Sequence, residues 1–403
     1  MNLLGGLGKK KEEDGPPEGA AAEDTEQLDE ESGNLLLALI SQLRIGMDLS
    51  KVTLPTFVLE PRSMLERITD FMTHPDLVFG AGKLESPERR FLQIMRYYLA
   101  GWHIKPKGVK KPYNPVLGEF FRCSYTYTDG SKGYYIAEQV SHHPPISAYY
   151  YVSPENNLLI YGELKPKSKF LGNSAATLMG GENRIVLLDR LEDREYRISM
   201  PNMYARGIMF GKMVMELGDQ SKVYNEANDI SADIEFKTKG YFTGTYNAIG
   251  GKVTHKGKNI GEITGKWSDS MDFKPSKGGS EQLFNARTAY FVDKLVIPES
   301  EQEEFESRRY VLPTASARIQ TRGAALWSKV TEGIKERNLE KATEAKTAIE
   351  EAQRQAVRRR DEKGETWEPK YFTAKGERFY PNISALPEEL RPQIIVDYFS
   401  KNA

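Results

Sequence analysis

From about Tyr113 to Ile297 the chain repeats one pattern, short runs rich in β-branched and aromatic residues broken by turn clusters, with no helical periodicity between them. Gly-Tyr-Tyr-Ile-Ala-Glu-Gln-Val (133–140), Ile-Ser-Ala-Tyr-Tyr-Tyr-Val (146–152) and Leu-Leu-Ile-Tyr-Gly-Glu-Leu (158–164) read as strands. Asp129-Gly-Ser-Lys-Gly133 and Pro154-Glu-Asn-Asn157 read as turns. At one strand per ~8 to 12 residues, the stretch holds on the order of 15 strands. Without crossover helices they must pair antiparallel. A sheet this wide tends to curl closed, since closure removes exposed edges, and a barrel of so many strands is too wide for its own side chains to fill. The expected fold is therefore α+β, a large incomplete antiparallel β-barrel around a lumen, with helical pieces before and after it.

The flanks divide the chain further. Residues 1–33 form an acidic tail expected to be disordered, and 34–60 a lid, in which Asn34 caps a helix from Leu35 to about Arg44 closed by Gly46. A helix apolar on nearly every side must be buried or must cover something oily. Pro55 and Pro61 keep the following piece extended. Residues 61–110 make a short helical segment with patterns at Ser63–Met72 and Glu88–Gly101. The barrel takes 111–298, and 299–403 form a C-terminal helical subdomain with helices at Leu326–Arg337 and Leu339–Arg360 and an Asn338 cap between them.

The net charge of −1 hides an asymmetry. The first 34 residues carry three lysines against ten acids, leaving 53 basic and 47 acidic residues for the remainder. A mildly basic body suits an anionic partner, and an acidic tail shortens its stay there by like-charge repulsion. Cys123 is the single cysteine, so neither an internal disulfide nor a multi-cysteine metal site can form, and a cytoplasmic location is expected. No stretch approaches the ~20 apolar residues that cross a bilayer. No metal, cofactor or nucleic-acid partner is expected, and a monomer is.

Three constellations could carry chemistry. His142 and His143 stand where Pro144 and Pro145 end a strand, so both rings can face a barrel mouth. They suit a phosphate better than a metal, because protonated imidazoles form charge-assisted bonds and a phosphomonoester favours that protonation. Lys111 and Asn114 lie on a proline-spaced extended stretch, Lys110-Lys-Pro-Tyr-Asn-Pro-Val-Leu-Gly-Glu119. Lys346, Glu350 and Arg354 share one side of a helix at i, i+4 and i+8, as a solvated salt-bridge ladder would. Glu119-Phe-Phe121 reads as core within a strand. No nucleophile elbow or phosphate-cradling loop is present, so no enzyme is expected.

Glu138-Gln-Val-Ser-His-His-Pro-Pro145 resembles the signature of the oxysterol-binding-protein-related lipid-transfer family, and Lys111-Pro-Tyr-Asn-Pro-Val-Leu-Gly-Glu119 and Lys346…Glu350…Arg354 are similar to its other two head-group elements. The resemblance runs from about Leu35 to Trp367. It implies a lidded lipid tunnel in the barrel and assigns Lys111, Asn114, His142, His143, Lys346, Glu350 and Arg354 to the head group of phosphatidylinositol 4-phosphate. Leu54-Pro-Thr-Phe-Val-Leu-Glu-Pro-Arg-Ser63 resembles the branch that carries phosphatidylserine, which would set Leu54 and Thr56 against the acyl region and Asn114 and Ser168 near the serine head group. It implies exchange of the two lipids between membranes, through transient peripheral contact with anionic surfaces, at contacts between endoplasmic reticulum and plasma membrane. Rival readings are a sterol for phosphatidylinositol 4-phosphate exchanger and a non-transferring lipid sensor or tether. Residues 310–325 depart from the family pattern, as an inserted loop or a mis-predicted splice junction. A transcript joining Arg309 directly to Leu326 would exclude a genuine loop.

Overall fold

The computed structural model describes residues 25–49, 52, 54–106, 108–209, 212–240, 244–292, 294–296 and 326–402. The tail before Thr25 and the 310–325 segment lie outside them. The strands are β1 (Thr25–Gln27), β2 (Leu59–Ser63), β3 (Lys111–Tyr113), β4 (Phe120–Thr126), β5 (Lys132–His142), β6 (Pro145–Ser153), β7 (Leu158–Phe170), β8 (Ser174–Leu187), β9 (Tyr196–Ile198) and β10 (Asn202–Arg206). They continue as β11 (Lys212–Asn225), β12 (Ile230–Lys237), β13 (Ala248–His255), β14 (Lys258–Lys266), β15 (Ser270–Pro275), β16 (Glu281–Asn285), β17 (Lys294–Val296), β18 (Phe372–Lys375) and β19 (Arg378–Pro381). The helices are α1 (Glu30–Ile40), α2 (Met64–Arg67), α3 (Pro87–Ala100), α4 (Ser328–Lys335), α5 (Leu339–Lys363) and α6 (Gln393–Asn402).

Fifteen strands form one antiparallel sheet. Its path runs β16-β15-β14-β13-β12-β11-β10-β8-β7-β6-β5-β4-β17, with β1 and β9 added beside β11. The path ends at β16 and β17, which do not pair with each other among the described residues, so the barrel is incomplete. Strand β2 pairs in parallel with β3 in a separate two-stranded sheet.

The period of two along β7 sorts its residues to opposite faces. Leu158, Ile160 and Leu164 join an inner cluster with Phe91, Ile94, Met95 and Tyr98 of α3, whereas Leu159 and Tyr161 join an outer one with Tyr371, Phe372, Leu386 and Leu390. The helical segment thus plugs one end of the interior, and the C-terminal segment coats the outside. Towards the other end the inner row continues through Ser168, Thr177 and Met203 in register, then Ala175 and Ala205. These side chains are only half-buried. The interior is filled at the α3 end and incompletely lined at the other.

That second end is covered by α1. Asp29, not Asn34, caps α1, its carboxylate accepting from the Ser32 amide at 2.7 Å, and the helix runs Glu30–Ile40 instead of Leu35–Arg44. An earlier start sets Glu30 in the first turn, where the helix dipole favours an acid. Leu36 and Ile40 bury against Phe170, Ile208 and Met213, but Leu35 and Leu37 stay 47% and 44% exposed, so only one face of this apolar helix is covered. A strap fastens it to β7, with the Gly46 amide donating to Phe170 O at 2.7 Å, the Phe170 amide to Met47 O at 3.0 Å, and a bridge from Asp48 to Lys169.

At the plugged end His74 and His103, 29 residues apart, approach Nε2 to Nε2 at 2.9 Å between Phe284 and Phe291. Burial pushes both imidazoles down to about 4, His74 further opposed by the charge of its neighbour. An unfolded histidine titrates near 6.5, so on acidification the unfolded chain takes up protons that the folded one refuses. Buried Glu119 and Glu138 shift the opposite way, making the difference between variant and parent the informative quantity. A His74→Gln, His103→Gln variant is expected to gain stability relative to the parent, by on the order of 1 kcal/mol or more, as pH falls from about 7 to 5. Paired thermal melts across that range check it, and a constant difference contradicts it.

Candidate functional site

The segment 111–119 holds the site together. Tyr113 and Val116 bury with Leu59, Trp327, Val330 and Ile349 in one cluster, which seats α4 and α5 against β2 and β3. Gly118 takes φ +80°, a left-handed turn that suits glycine, and leads the chain into β4 with its amide on Gln139 O at 3.0 Å. The helices approach closely where Gly333 meets Ala342, as a Cβ at Gly333 would stand 2.6 Å from the Ala342 nitrogen. The Asn338 side chain caps α5 by accepting from the Lys341 amide at 3.0 Å.

Two groups of the expected residues are assembled on this frame. In the first, Asn114 Nδ2 lies 3.1 Å from His142 Nε2, and His142 Nδ1 lies 3.1 Å from His143 Nε2. An amide nitrogen only donates, so His142 Nε2 accepts and Nδ1 carries the proton passed to His143. The pair ends the β5–β6 hairpin, where the His143–Pro144 peptide bond is cis. Burial, then the neighbouring His143, push His142 down to about 4, so without a bound anion it is neutral.

The second group joins Lys111 to α5. The Lys111 ammonium is held below the ordinary lysine range by burial and by Lys346, with Asp48 and Glu350 opposing. Lys346 is only 12% exposed and sits 3.0 Å from Glu350. Two cations therefore share one partly dry spot, with Glu350 and Asp48 as the acids that oppose them. Arg354 differs. It is 55% exposed, 3.7 Å from Glu350 and 2.9 Å from Glu351, so the row begins buried and ends in solvent.

The remaining expected residues lie between this frame and the lid. Thr56, in the short turn Thr56–Val58 against α5, is 3% exposed, and its hydroxyl has no hydrogen-bond partner. An unpaired buried hydroxyl is costly and fits a position completed by a ligand. Leu54 is half-buried. Lys110 Nζ donates to Phe57 O at 2.8 Å, and Phe57 and Val109 pack on the lid cluster. Ser168 faces inward on β7, 3.4 Å from Thr177 Oγ1. No hydrogen bond joins Ser168 or Leu54 to the two groups among the described residues. None of the described His, Cys, Asp or Glu residues cluster in threes suited to a metal, and no described helix is long and apolar enough to cross a membrane.

Residues 38–385 match the family model described as oxysterol-binding protein. The chain belongs to the oxysterol-binding protein family. An oxysterol-binding protein homolog of Schizosaccharomyces pombe is 46% identical over 365 residues, 87% of this chain and 72% of that protein. Oxysterol-binding protein homolog 6 of Saccharomyces cerevisiae is 44% identical over 360 residues, 87% of this chain and 76% of that one. Human oxysterol-binding protein-related protein 5 is 39% identical over 359 residues, 87% of this chain but 39% of its own length. Among solved structures, the Osh1 ORD domain in complex with cholesterol superimposes with a TM-score of 0.66 at 23% identity, covering 92% of this chain and 90% of that one. The Osh3 ORD in complex with PI(4)P from Saccharomyces cerevisiae gives 0.63 at 21%, covering 96% and 97%. These likenesses carry the fold, the α+β antiparallel barrel described above.

Sequence reasoning placed Glu119 in the core with Phe120 and Phe121, as found, but gave neither it nor Glu138 a part in the site. Glu119 and Glu138 end and begin two of the oxysterol-binding signature stretches, and both are fully buried, pushed by burial up to about 7. A charged residue in a run of strand-forming apolar residues was the available signal. For the cation pair, replacing Lys111 with methionine is expected to raise the melting temperature of the ligand-free protein, since it removes a buried ammonium facing Lys346. Calorimetry decides, and a fall would show that Glu350 and Asp48 already compensate Lys111.

Proposed function

We propose that this protein is a lipid carrier that takes phosphatidylserine and phosphatidylinositol 4-phosphate in turn into one lidded barrel and exchanges them between membranes. One observation carries the reading. One segment carries Lys111, which feels the charge of Lys346, three residues on Asn114, which meets His142 and through it His143, and, before them, Lys110, which reaches Phe57. Such a site would take an anion of more than one charge. A phosphomonoester would supply it, taking bonds from the lysines and drawing a proton onto His142, while Glu350 accepts from inositol hydroxyls. Arg354, at the exposed end of the row, meets the phosphate by a change of partner from Glu351.

The apolar half of the ligand sets the need for a lid. Two acyl chains hold about 30 methylenes, and at ~0.8 kcal/mol each their exposure costs on the order of 25 kcal/mol. A closed interior offsets this, and two lipids competing for one interior make the carrier an exchanger. Leu54 and Thr56 would meet the acyl region, and Asn114 and Ser168 the serine head group. No covalent bond changes, so direction comes from lipid gradients kept elsewhere. The proposal extends to a monomer working in the cytoplasm at contacts between endoplasmic reticulum and plasma membrane, touching anionic bilayers only briefly.

Transfer between donor and acceptor vesicles carrying labelled phosphatidylserine, phosphatidylinositol 4-phosphate or sterol tests the reading. Transfer of the first two supports it, transfer of sterol without phosphatidylserine overturns the choice of second lipid, and binding without emptying the donor makes the protein a sensor or tether. His142→Ala with His143→Ala is expected to abolish phosphatidylinositol 4-phosphate extraction and spare phosphatidylserine binding. Leu54→Asp is expected to do the converse by setting a charge against acyl chains.

A further inference from the structure

The helical hairpin that carries Lys346, Glu350 and Arg354 is fastened to the barrel at both of its ends, and each fastening is a buried carboxylate. At the start, Trp327 immediately precedes α4 and donates its indole Nε1–H to Glu119 Oε2 at 3.0 Å, an oxygen that also accepts from the Val116 amide at 3.0 Å. The same indole stacks on Tyr113, ring centroids 4.6 Å apart and planes 17° from parallel. At the far end α5 stops at Gly364, in the left-handed region at φ +64°. Six and seven residues on, the amides of Lys370 and Tyr371 donate to the two oxygens of Glu138, at 2.9 and 2.8 Å. Between these points Trp367 lies against Gly118.

Glu138 stands on β5, and Glu119 immediately precedes β4, the strand paired with it. Phe120 is the register partner of Glu138, and the Gln139 amide donates to Glu119 O at 2.8 Å. Five residues before Glu119 is Asn114, and four after Glu138 is His142. The strands that hold the hairpin are therefore the strands that present the imidazole chain. We propose that Glu119 and Glu138 are positioning residues that fix the distance from the Lys346 row to His142 and His143 by pinning the hairpin at its start and finish. The proposal rests on the reading of these groups as one phosphate site. Neither acid touches the ligand. Each acts through backbone or indole donors that would otherwise be buried unpaired, and a pair of hydrogen bonds to one buried carboxyl group is directional enough to set a helix end.

Three variants separate positioning from general support. Glu138→Gln turns an amide NH2 towards one of the two backbone amides. Trp327→Phe deletes the indole donor but keeps a ring over Tyr113. Glu389→Gln, the control, breaks the Arg122–Glu389 ion pair, which also joins the barrel to the C-terminal segment but lies outside α4 and α5. Extraction from phosphatidylcholine vesicles doped with phosphatidylinositol 4-phosphate or with phosphatidylserine is measured for each. The spacing between spin labels at Lys132→Cys and Thr347→Cys is read in parallel.

Glu138→Gln and Trp327→Phe are each expected to lower phosphatidylinositol 4-phosphate extraction about ten-fold, phosphatidylserine extraction by about two-fold or less, and to broaden the label spacing, with the control changing none of these. Parent-like extraction and spacing in both variants overturns the proposal, as does an equal loss of both lipids in all three. Should Glu138→Gln fail to fold, Trp327→Phe decides alone. If the parent itself extracts no phosphatidylinositol 4-phosphate, the functional reading falls, and the pins are then judged on spacing alone, unchanged spacing refuting them.

Discussion

A fifteen-stranded antiparallel sheet encloses more volume than its own side chains can fill, and that mismatch governs the rest of the molecule. The space is closed by different means at its two ends. At one end α3 and the turns around it bring Phe91, Ile94, Met95 and Tyr98 onto the inner face. At the other, the inner row of Ser168, Thr177, Met203 and Ala205 is left half-covered beneath a single-turn-deep contact of α1 through Leu36 and Ile40. A helix attached by one face and a short strap can leave at far lower cost than a plugged core, because little apolar surface must be exposed to free it.

The charged groups follow the same asymmetry. Ion pairs at the plugged end are complete, as in the bidentate grip of Arg90 on Asp193 at 2.6 and 2.8 Å. Near the lid Lys111 meets Lys346, and the hydroxyl of Thr56 meets nothing. An unsatisfied buried polar group in a native structure calls for an explanation, and completion by a ligand is one. Unpaired buried polar atoms also occur at the plugged end, among them Gln93 Oε1 and Trp102 Nε1, so what sets the α1 end apart is the lysine pair beside the Thr56 hydroxyl.

The strand repeat between Tyr113 and Ile297 made the sheet legible, since alternation and turn residues are local signals, and Asn338 made the C-terminal hairpin legible through its cap. The start of α1 was not, because Asp29 and Asn34 are both good caps and the choice between them depends on which turn reaches Phe170. The His142–His143 pair announced itself by adjacency and the prolines after it. His74 and His103 did not, since 29 residues of chain separate two rings that only the packed helical segment unites. Glu119 and Glu138 looked like strand residues of ordinary kind, and their donors, Trp327, Lys370 and Tyr371, come from more than 200 residues away. The Lys346 row was readable as a helix face, but not that its first member would be buried and its last solvated.

Native mass spectrometry of the purified protein, before and after addition of phosphatidylinositol 4-phosphate, bears most directly on a single interior shared by alternating cargo. The account predicts a single phospholipid on each chain, phosphatidylserine at first, replaced one for one by the added lipid. Simultaneous occupancy of one chain by both lipids, or a chain that retains neither, would contradict it.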